Sequence, residues 1–278
     1  MISCEEYTKF QKDTLKTLLS VVDYAPKLVV IQVDDDYASS KYIKWKKFDC
    51  EYVGIQFEHK HIDSTITDQY ELEKIIQDYN NDSSVTGIII QLPIPKKYDL
   101  DRLQGCIDRI KDVDGFRKDS YWEPCTARGV ISWIKYNKIE LAGKVVAVLN
   151  RSPIVGRPLI DMLIDESATV ICCNSHTADI QEHVRNADIV ITATGKPKMI
   201  NEYWFRYPYS TELIIDVGIN YDEETHKTCG DVDYEALKDF YGLYVTPVPG
   251  GVGLLTRTAL LHNIVRAQYI QNEWNTKY

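Results

Sequence analysis

Short apolar runs alternate with segments of helical spacing along almost the whole chain, and this alternation is what most limits the fold. Lys27–Val33 (KLVVIQV), Ile55–Glu58 and Val85–Gln91 (VTGIIIQ) read as strands. Helices over Ser39–Tyr52 and Asp68–Tyr79 lie between them, and Pro93 and Pro95 stop the third strand. A polar loop and a helix near Gly129–Asn137 follow. A second set opens at Gly143, with strands over Lys144–Leu149, Ala168–Cys173, Asp188–Ala193, Glu212–Val217 and Leu243–Val245. Its helices are expected over Val155–Ile164 and Ala178–Val184, and Leu254–Asn272 reads as one long helix. Apolar strands that alternate with helices imply parallel sheets covered on both faces. The expected class is therefore α/β in two domains, with the boundary near Ile139–Gly143.

Charge and cysteine usage narrow the function classes. The 278 residues carry 32 basic and 41 acidic side chains, a net charge of −9. This argues against non-specific nucleic-acid binding and against attraction to anionic membrane, while leaving room for a local basic pocket. No apolar stretch approaches the ~20 residues of a membrane span. The start, Met1-Ile2-Ser3-Cys4-Glu5-Glu6, lacks the pattern of a secretory signal. Seven cysteines without a C-x-x-C fit reduced thiols in the cytoplasm rather than a disulfide framework or a zinc knuckle. No metal site is expected, and His59-x-His61 reads as an exposed strand face.

Six segments hold candidate chemistry. Ser39, Tyr42 and Lys46 fall within a ~60° arc of one helix face at ~100° per residue. A tyrosine one turn before a lysine suits acid/base chemistry; on its residues alone the pattern fits a solvated helix face better. Gln91-Leu92-Pro93 stands at the carboxyl end of a buried strand, where α/β proteins place ligands. Lys111–Phe116 holds Asp112 and Asp114 before Gly115, either a turn or a carboxylate that accepts hydrogen bonds from a heterocycle. Asn150–Pro158 occupies the first βα turn of a dinucleotide fold, although only Gly156 remains of the usual glycines. The next strand ends in Cys173-Asn174-Ser175-His176, without the acid that would take a ribose 2′-hydroxyl. Arg151 and Ser175 suit a 2′-phosphate instead, which favours NADP over NAD. The Thr246–Gly253 segment packs three glycines into four positions and permits close approach of backbone to ligand.

In this order the motifs resemble the bifunctional methylenetetrahydrofolate dehydrogenase/methenyltetrahydrofolate cyclohydrolase family. They are Ser39-x-x-Tyr42-x-x-x-Lys46, Gln91-Leu92-Pro93, Lys111–Phe116, Arg151-Ser152-x-Ile154-Val155-Gly156, Asp216–Asn220, Gly230-Asp231-Val232 and Thr246–Gly253. The resemblance implies an N-terminal folate domain over 1–139, completed by the C-terminal helix 257–278. It implies a Rossmann-like dinucleotide domain over 140–256, joined to the first across a cleft. Lys46 is then the acid/base residue of the cyclohydrolase step, with Gln91 tuning it and Tyr42 stacking on the folate. Asp114 holds the pterin, and Ser39, Leu92, Pro249, Gly250 and Gly253 complete the folate site. Arg151, Ser152, Ile154, Ser175, Ala193, Ile219 and Thr256 contact NADP. A cytoplasmic homodimer is implied as well.

Five positions depart from the family's pattern: Asn150 for Gly, Ala127 for Pro, Asn174 for His, and Leu254-Leu255 for Pro-Met. None removes a proposed catalytic group. The rival readings are a monofunctional dehydrogenase or cyclohydrolase on the same fold, and a catalytically silent dinucleotide-binding regulator. The regulator should have lost Lys46, Gln91 and Asp114, and this chain keeps them.

Overall fold

The chain folds around two separate parallel sheets. The computed structural model describes residues 1–22, 24–205, 210–223 and 225–277. Proximity of backbone positions divides it into two compact units. The first holds Lys9–Cys125 and Arg257–Tyr278, and the second Met1–Thr8 and Thr126–Thr256.

Helix α1 (Cys4–Leu19) precedes β1 (Lys27–Val33), whose residues after Lys27 are all buried. Helix α2 (Tyr37–Val53) follows, capped by Asp36, whose carboxylate accepts from Ser39 N at 2.7 Å. The cap satisfies an orphan N–H of the first turn and is worth ~1 kcal/mol. Gly54 ends the helix at φ +95°, in the left-handed region that glycine enters without penalty. Strand β2 (Gln56–Ile62), α3 (Gln69–Asn81), β3 (Gly87–Gln91) and α4 (Leu100–Cys106) complete the alternation. The three strands are parallel in the order β2-β1-β3. Strand β2 is longer than expected. It lies on the edge of the sheet and is polar on both faces (QFEHKHI), so hydrophobic patterning reveals only its start.

In the second unit α5 (Cys125–Tyr136) leads to β4 (Val145–Leu149), α6 (Gly156–Asp165), β5 (Thr169–Cys172), α7 (Ile180–Arg185) and β6 (Ile189–Thr192). Strand β7 (Leu213–Asp216), the antiparallel pair β8 (Asn220–Asp222) and β9 (Lys227–Cys229), α8 (Tyr234–Leu237) and β10 (Tyr244–Val245) follow. Helix α9 (Val252–Lys277) closes the chain, counted with the first unit from Arg257 onward. The five-stranded sheet is parallel throughout, in the order β10-β7-β6-β4-β5.

The units divide at Cys125/Thr126 and not near Ile139. The reason is the apolar face of α5. Ala127, Val130, Ile131, Trp133 and Ile134 are buried with Val146, Val148 and Leu159, so the helix packs on the second sheet. Each fully buried side chain of this size contributes about 1.5–3 kcal/mol, and that decides which body owns the helix.

Candidate active site

The carboxyl end of β3 and one face of α2 bring five expected residues of the first unit together. Lys46 is buried, and its Nζ donates to Gln91 Oε1 at 3.1 Å. Gln91 in turn donates through Nε2 to the Leu92 carbonyl at 2.9 Å. The Ser39 hydroxyl donates to the same carbonyl at 2.9 Å. One carbonyl thus receives both partners, which ties the start of α2 to the end of β3 and aims the Gln91 oxygen at the amine. Lys46 Nζ stands 5.7 Å from the centre of the Tyr42 ring. Burial pushes the Tyr42 phenol up to about 12, opposed by the pull of Arg257 and reinforced to a smaller extent by carboxylates such as Asp114. The phenol therefore stays protonated and neutral.

Asp114 is half-buried in a turn held from several sides. Next to it, Gly115 has φ +76°, and a Cβ there would lie 2.8 Å from the backbone at Trp122–Pro124. The neighbouring Asp112 accepts from Arg117 N at 2.9 Å and Phe116 N at 3.3 Å. Burial raises its carboxyl to about 6. Lys111 takes no part in the site: its amine donates to the carbonyls of Tyr79, Asn80 and Asp82, closing the end of α3.

Sequence reasoning missed several residues around this group. The Cys125 thiol donates to Val113 O at 3.3 Å and lies against Asp114. Burial first, then Asp114, raises it well above the ordinary thiol range, so it is an inert spacer and not a nucleophile. Asn263 of α9 donates to the same Val113 carbonyl at 2.9 Å. Asp49, one turn beyond Lys46, pairs with Lys12 at 2.5 Å and with Arg257 at 3.1 Å. The Arg257 guanidinium also stacks on Trp45 at 5.3 Å. No local motif announces these partners, since they come from α1, α2 and α9.

The second unit carries the other group, at the carboxyl ends of β4, β5, β6 and β7. Arg151 is exposed on the turn after β4, and Ser152 and Ile154 are half-buried beside it. The Ser152 hydroxyl accepts from Val155 N at 3.2 Å. Gly156 opens α6, where a Cβ would lie 2.4 Å from the Asn150 carbonyl oxygen. Ser175 is exposed in a turn closed by Asn174 N donating to Thr177 Oγ1 and His176 N donating to Asn174 Oδ1. Ala193 follows β6 directly, and Ile219 is exposed just after β7. Thr256, in the second turn of α9, has its hydroxyl 3.2 Å from both Thr126 Oγ1 and Val252 O. Pro249 and Gly250 are exposed and Gly253 is half-buried, all in this unit.

Beneath the ends of β6 and β7 lie two buried carboxylates. Asp216 accepts from the backbone of Gly218, Asp231 and Val232 at 2.8–3.1 Å. Asp231 accepts from Thr192 Oγ1, Thr194 N, Lys196 N and Asn220 Nδ2. Cβ atoms at Gly218 or Gly230 would collide with these carboxylates. The Asp216–Asn220 and Gly230–Val232 motifs are therefore one network that fixes the loops carrying Ala193 and Ile219. Burial pushes Asp216 up to about 7.

The histidine pair stands apart from both groups. His59 Nε2 is 2.9 Å from Gln32 Oε1, and His61 is 3.2 Å from Asp35. Among the described residues, no three His, Cys, Asp or Glu side chains are grouped to hold a metal, and no helix is long and apolar enough to cross a membrane.

Two family models match the chain. The tetrahydrofolate dehydrogenase/cyclohydrolase catalytic domain matches residues 3–114, and the NAD(P)-binding domain of the same family matches residues 124–272. The bifunctional protein FolD of Agathobacter rectalis is 43% identical over 249 residues, which is 86% of this chain and 87% of that protein. Its counterpart in Bacillus licheniformis is 41% identical over 254 residues, 87% of this chain and 86% of that protein. The crystal structure of the bifunctional methylenetetrahydrofolate dehydrogenase/cyclohydrolase of Campylobacter jejuni superposes with a TM-score of 0.89 at 35% identity, covering 96% of this chain and 98% of that one. The Trypanosoma brucei enzyme, complexed with NADP cofactor and inhibitor, gives 0.88 at 27% identity, covering 97% of both chains.

Proposed function

The chain belongs to the tetrahydrofolate dehydrogenase/cyclohydrolase family, and we propose that the Lys46 group carries its folate chemistry and the turn after β4 its dinucleotide. The protein oxidises 5,10-methylenetetrahydrofolate to the 5,10-methenyl form and hydrolyses that product to 10-formyltetrahydrofolate, in one-carbon metabolism. NADP, when bound, accepts the hydride of the first step. The second unit fits that group. Gly156 leaves no room for a side chain at the start of α6, Arg151 is exposed beside it, and Cys172–His176 holds no acid to repel a 2′-phosphate.

The observation that carries the reading is the buried Lys46 amine held by Gln91. Hydride transfer asks nothing of it. Hydrolysis does: water adds to the methenyl carbon and loses a proton, the bond from that carbon to N5 breaks, and N5 gains a proton. In its neutral form the Lys46 amine takes the proton from the attacking water and returns it to the leaving nitrogen. The Gln91 oxygen accepts one amine hydrogen and so orients the lone pair. Tyr42 offers a neutral ring for stacking on the pterin, and the Asp114 carboxylate accepts from its ring N–H groups. Ser39 and Leu92 hold the lysine-bearing helix in register with β3. Pro249, Gly250 and Gly253 form a compact turn that permits close approach of a ligand.

Both activities are assayed side by side with NADP and NAD, by absorbance of the methenyl product and of reduced cofactor. Formation of both products with NADP preferred is expected. Methenyl accumulation without hydrolysis leaves a monofunctional dehydrogenase, and no reaction leaves the silent regulator. A cytoplasmic homodimer completes the reading. Seven free cysteines suit a reducing compartment. Trp45, Phe48 and Tyr52, partly exposed along α2, offer an apolar face of the kind subunits cover. Light scattering tests the dimer.

A further inference from the structure

Strand β4 is the pivot of the second sheet, with β5 on one side and β6 on the other. In open α/β sheets such a switch point forms the ligand crevice. Leu149 stands opposite Thr192, so Asn150 and Ala193 are the next pair beyond the ladder. The Asn150 side chain spans that gap. Its Nδ2 donates to Ala193 O at 2.5 Å, and its Oδ1 accepts from Ser152 N at 2.8 Å and Gly156 N at 3.1 Å. Two N–H groups that converge at a helix start are donors of the kind that bind a ligand's anionic oxygen. Here the protein supplies its own neutral oxygen to both.

We propose that Asn150 is the positioning residue of the dinucleotide site, a strut that holds the phosphate turn and the end of β6 in fixed register before the cofactor arrives. The inference rests on the dinucleotide reading of the turn after β4. Ser152 N and Gly156 N are already taken by the Asn150 oxygen, so the turn is ordered without a ligand oxygen. A turn already ordered gives up less freedom on binding. The strut serves NADP and NAD alike, because the 2′-phosphate is assigned to Arg151 and Ser175.

The test is Asn150→Gly in the full chain, with dinucleotide binding followed by energy transfer from protein tryptophan to NADPH or NADH. Three hydrogen bonds are lost, partly replaced by water, so KM and Kd for both cofactors should rise about tenfold. Their ratio should stay within about twofold, and kcat should fall less than KM rises. A purely structural defect would lower the active fraction, and so kcat, with KM intact; that result overturns the proposal. Tighter binding in the Gly variant also overturns it, because the carboxamide then competes with a ligand oxygen. Asn150→Asp carries the test if the Gly variant does not fold. It loses the donor to Ala193 and adds negative charge beside the phosphates, so unchanged KM values there overturn the strut. Absence of NADPH binding by the parent protein would defeat the dinucleotide reading itself, whereas normal parent binding with an indifferent variant defeats only the role of Asn150.

Discussion

Lys46 and Gln91 are 45 residues apart in the chain, yet the amine of one donates to the amide oxygen of the other at 3.1 Å. The bond joins the middle of α2 to the last residue of β3, and the shared Leu92 carbonyl locks it in place. It turns a surface-type Y-x-x-x-K spacing into a buried, hydrogen-bonded amine.

Replacing Lys46 should separate the two activities. Lys46→Met keeps the length and apolar stem but removes the amine. Positioned acid/base catalysis contributes about 10²–10⁴-fold, so methenyl hydrolysis should fall by that factor while some dehydrogenase activity survives. Hydrolysis within about threefold of the parent, in protein that still binds dinucleotide, would refute the assignment.

Asp114→Ala should raise the folate concentration needed by both reactions. A hydrogen bond to a charged group contributes about 1.5–3 kcal/mol, or roughly ten- to a hundred-fold in KM. NADPH titration should be nearly unchanged, since Asp114 belongs to the first unit. Normal folate saturation would return Asp114 to the role of a turn former.

Arg151→Ala should lower affinity for NADP by roughly ten- to a hundred-fold, the value of a charge-assisted phosphate contact. NAD should lose much less. Equal losses for the two cofactors, measured by fluorescence titration, would remove Arg151 from the 2′-phosphate.

Asp216 should make stability depend on pH. Its folded value of about 7 lies above the unfolded ~3.9, so the folded protein binds the extra proton between them. The stabilisation is complete below about pH 4 and is lost as pH rises through 7, with a slope of at most about 1.4 kcal/mol per pH unit. Urea midpoints from pH 4.5 to 8 should fall less steeply in Asp216→Asn, which keeps one acceptor oxygen. Parallel profiles for parent and variant would show that Asp216 does not titrate there.

Much of this molecule was legible in local order. The KLVVIQV and GIIIQ strands are buried on both faces, so each announces itself without knowledge of its neighbours. Ser39, Tyr42 and Lys46 share a helix face by spacing alone, and the acid-free end of β5 already pointed to NADP. What tertiary structure decided depends on partners far apart in the chain. Helix α1 went unseen because few of its residues are buried, among them Cys4, Tyr7 and Leu15. Strand β2 was cut short because a sheet edge tolerates polar side chains on both faces. The owner of α5 was settled by which core its apolar face entered. Asn263 and the Asp49 ion pairs joined the Lys46 group only once α1, α2 and α9 had come together. Lys111, prominent within its motif, proved to be the cap of α3. Spacing reports which side chains share a face, because helix and strand geometry is local. It does not report what that face meets, because burial and hydrogen bonding are settled by segments that reach the same place from distant parts of the chain.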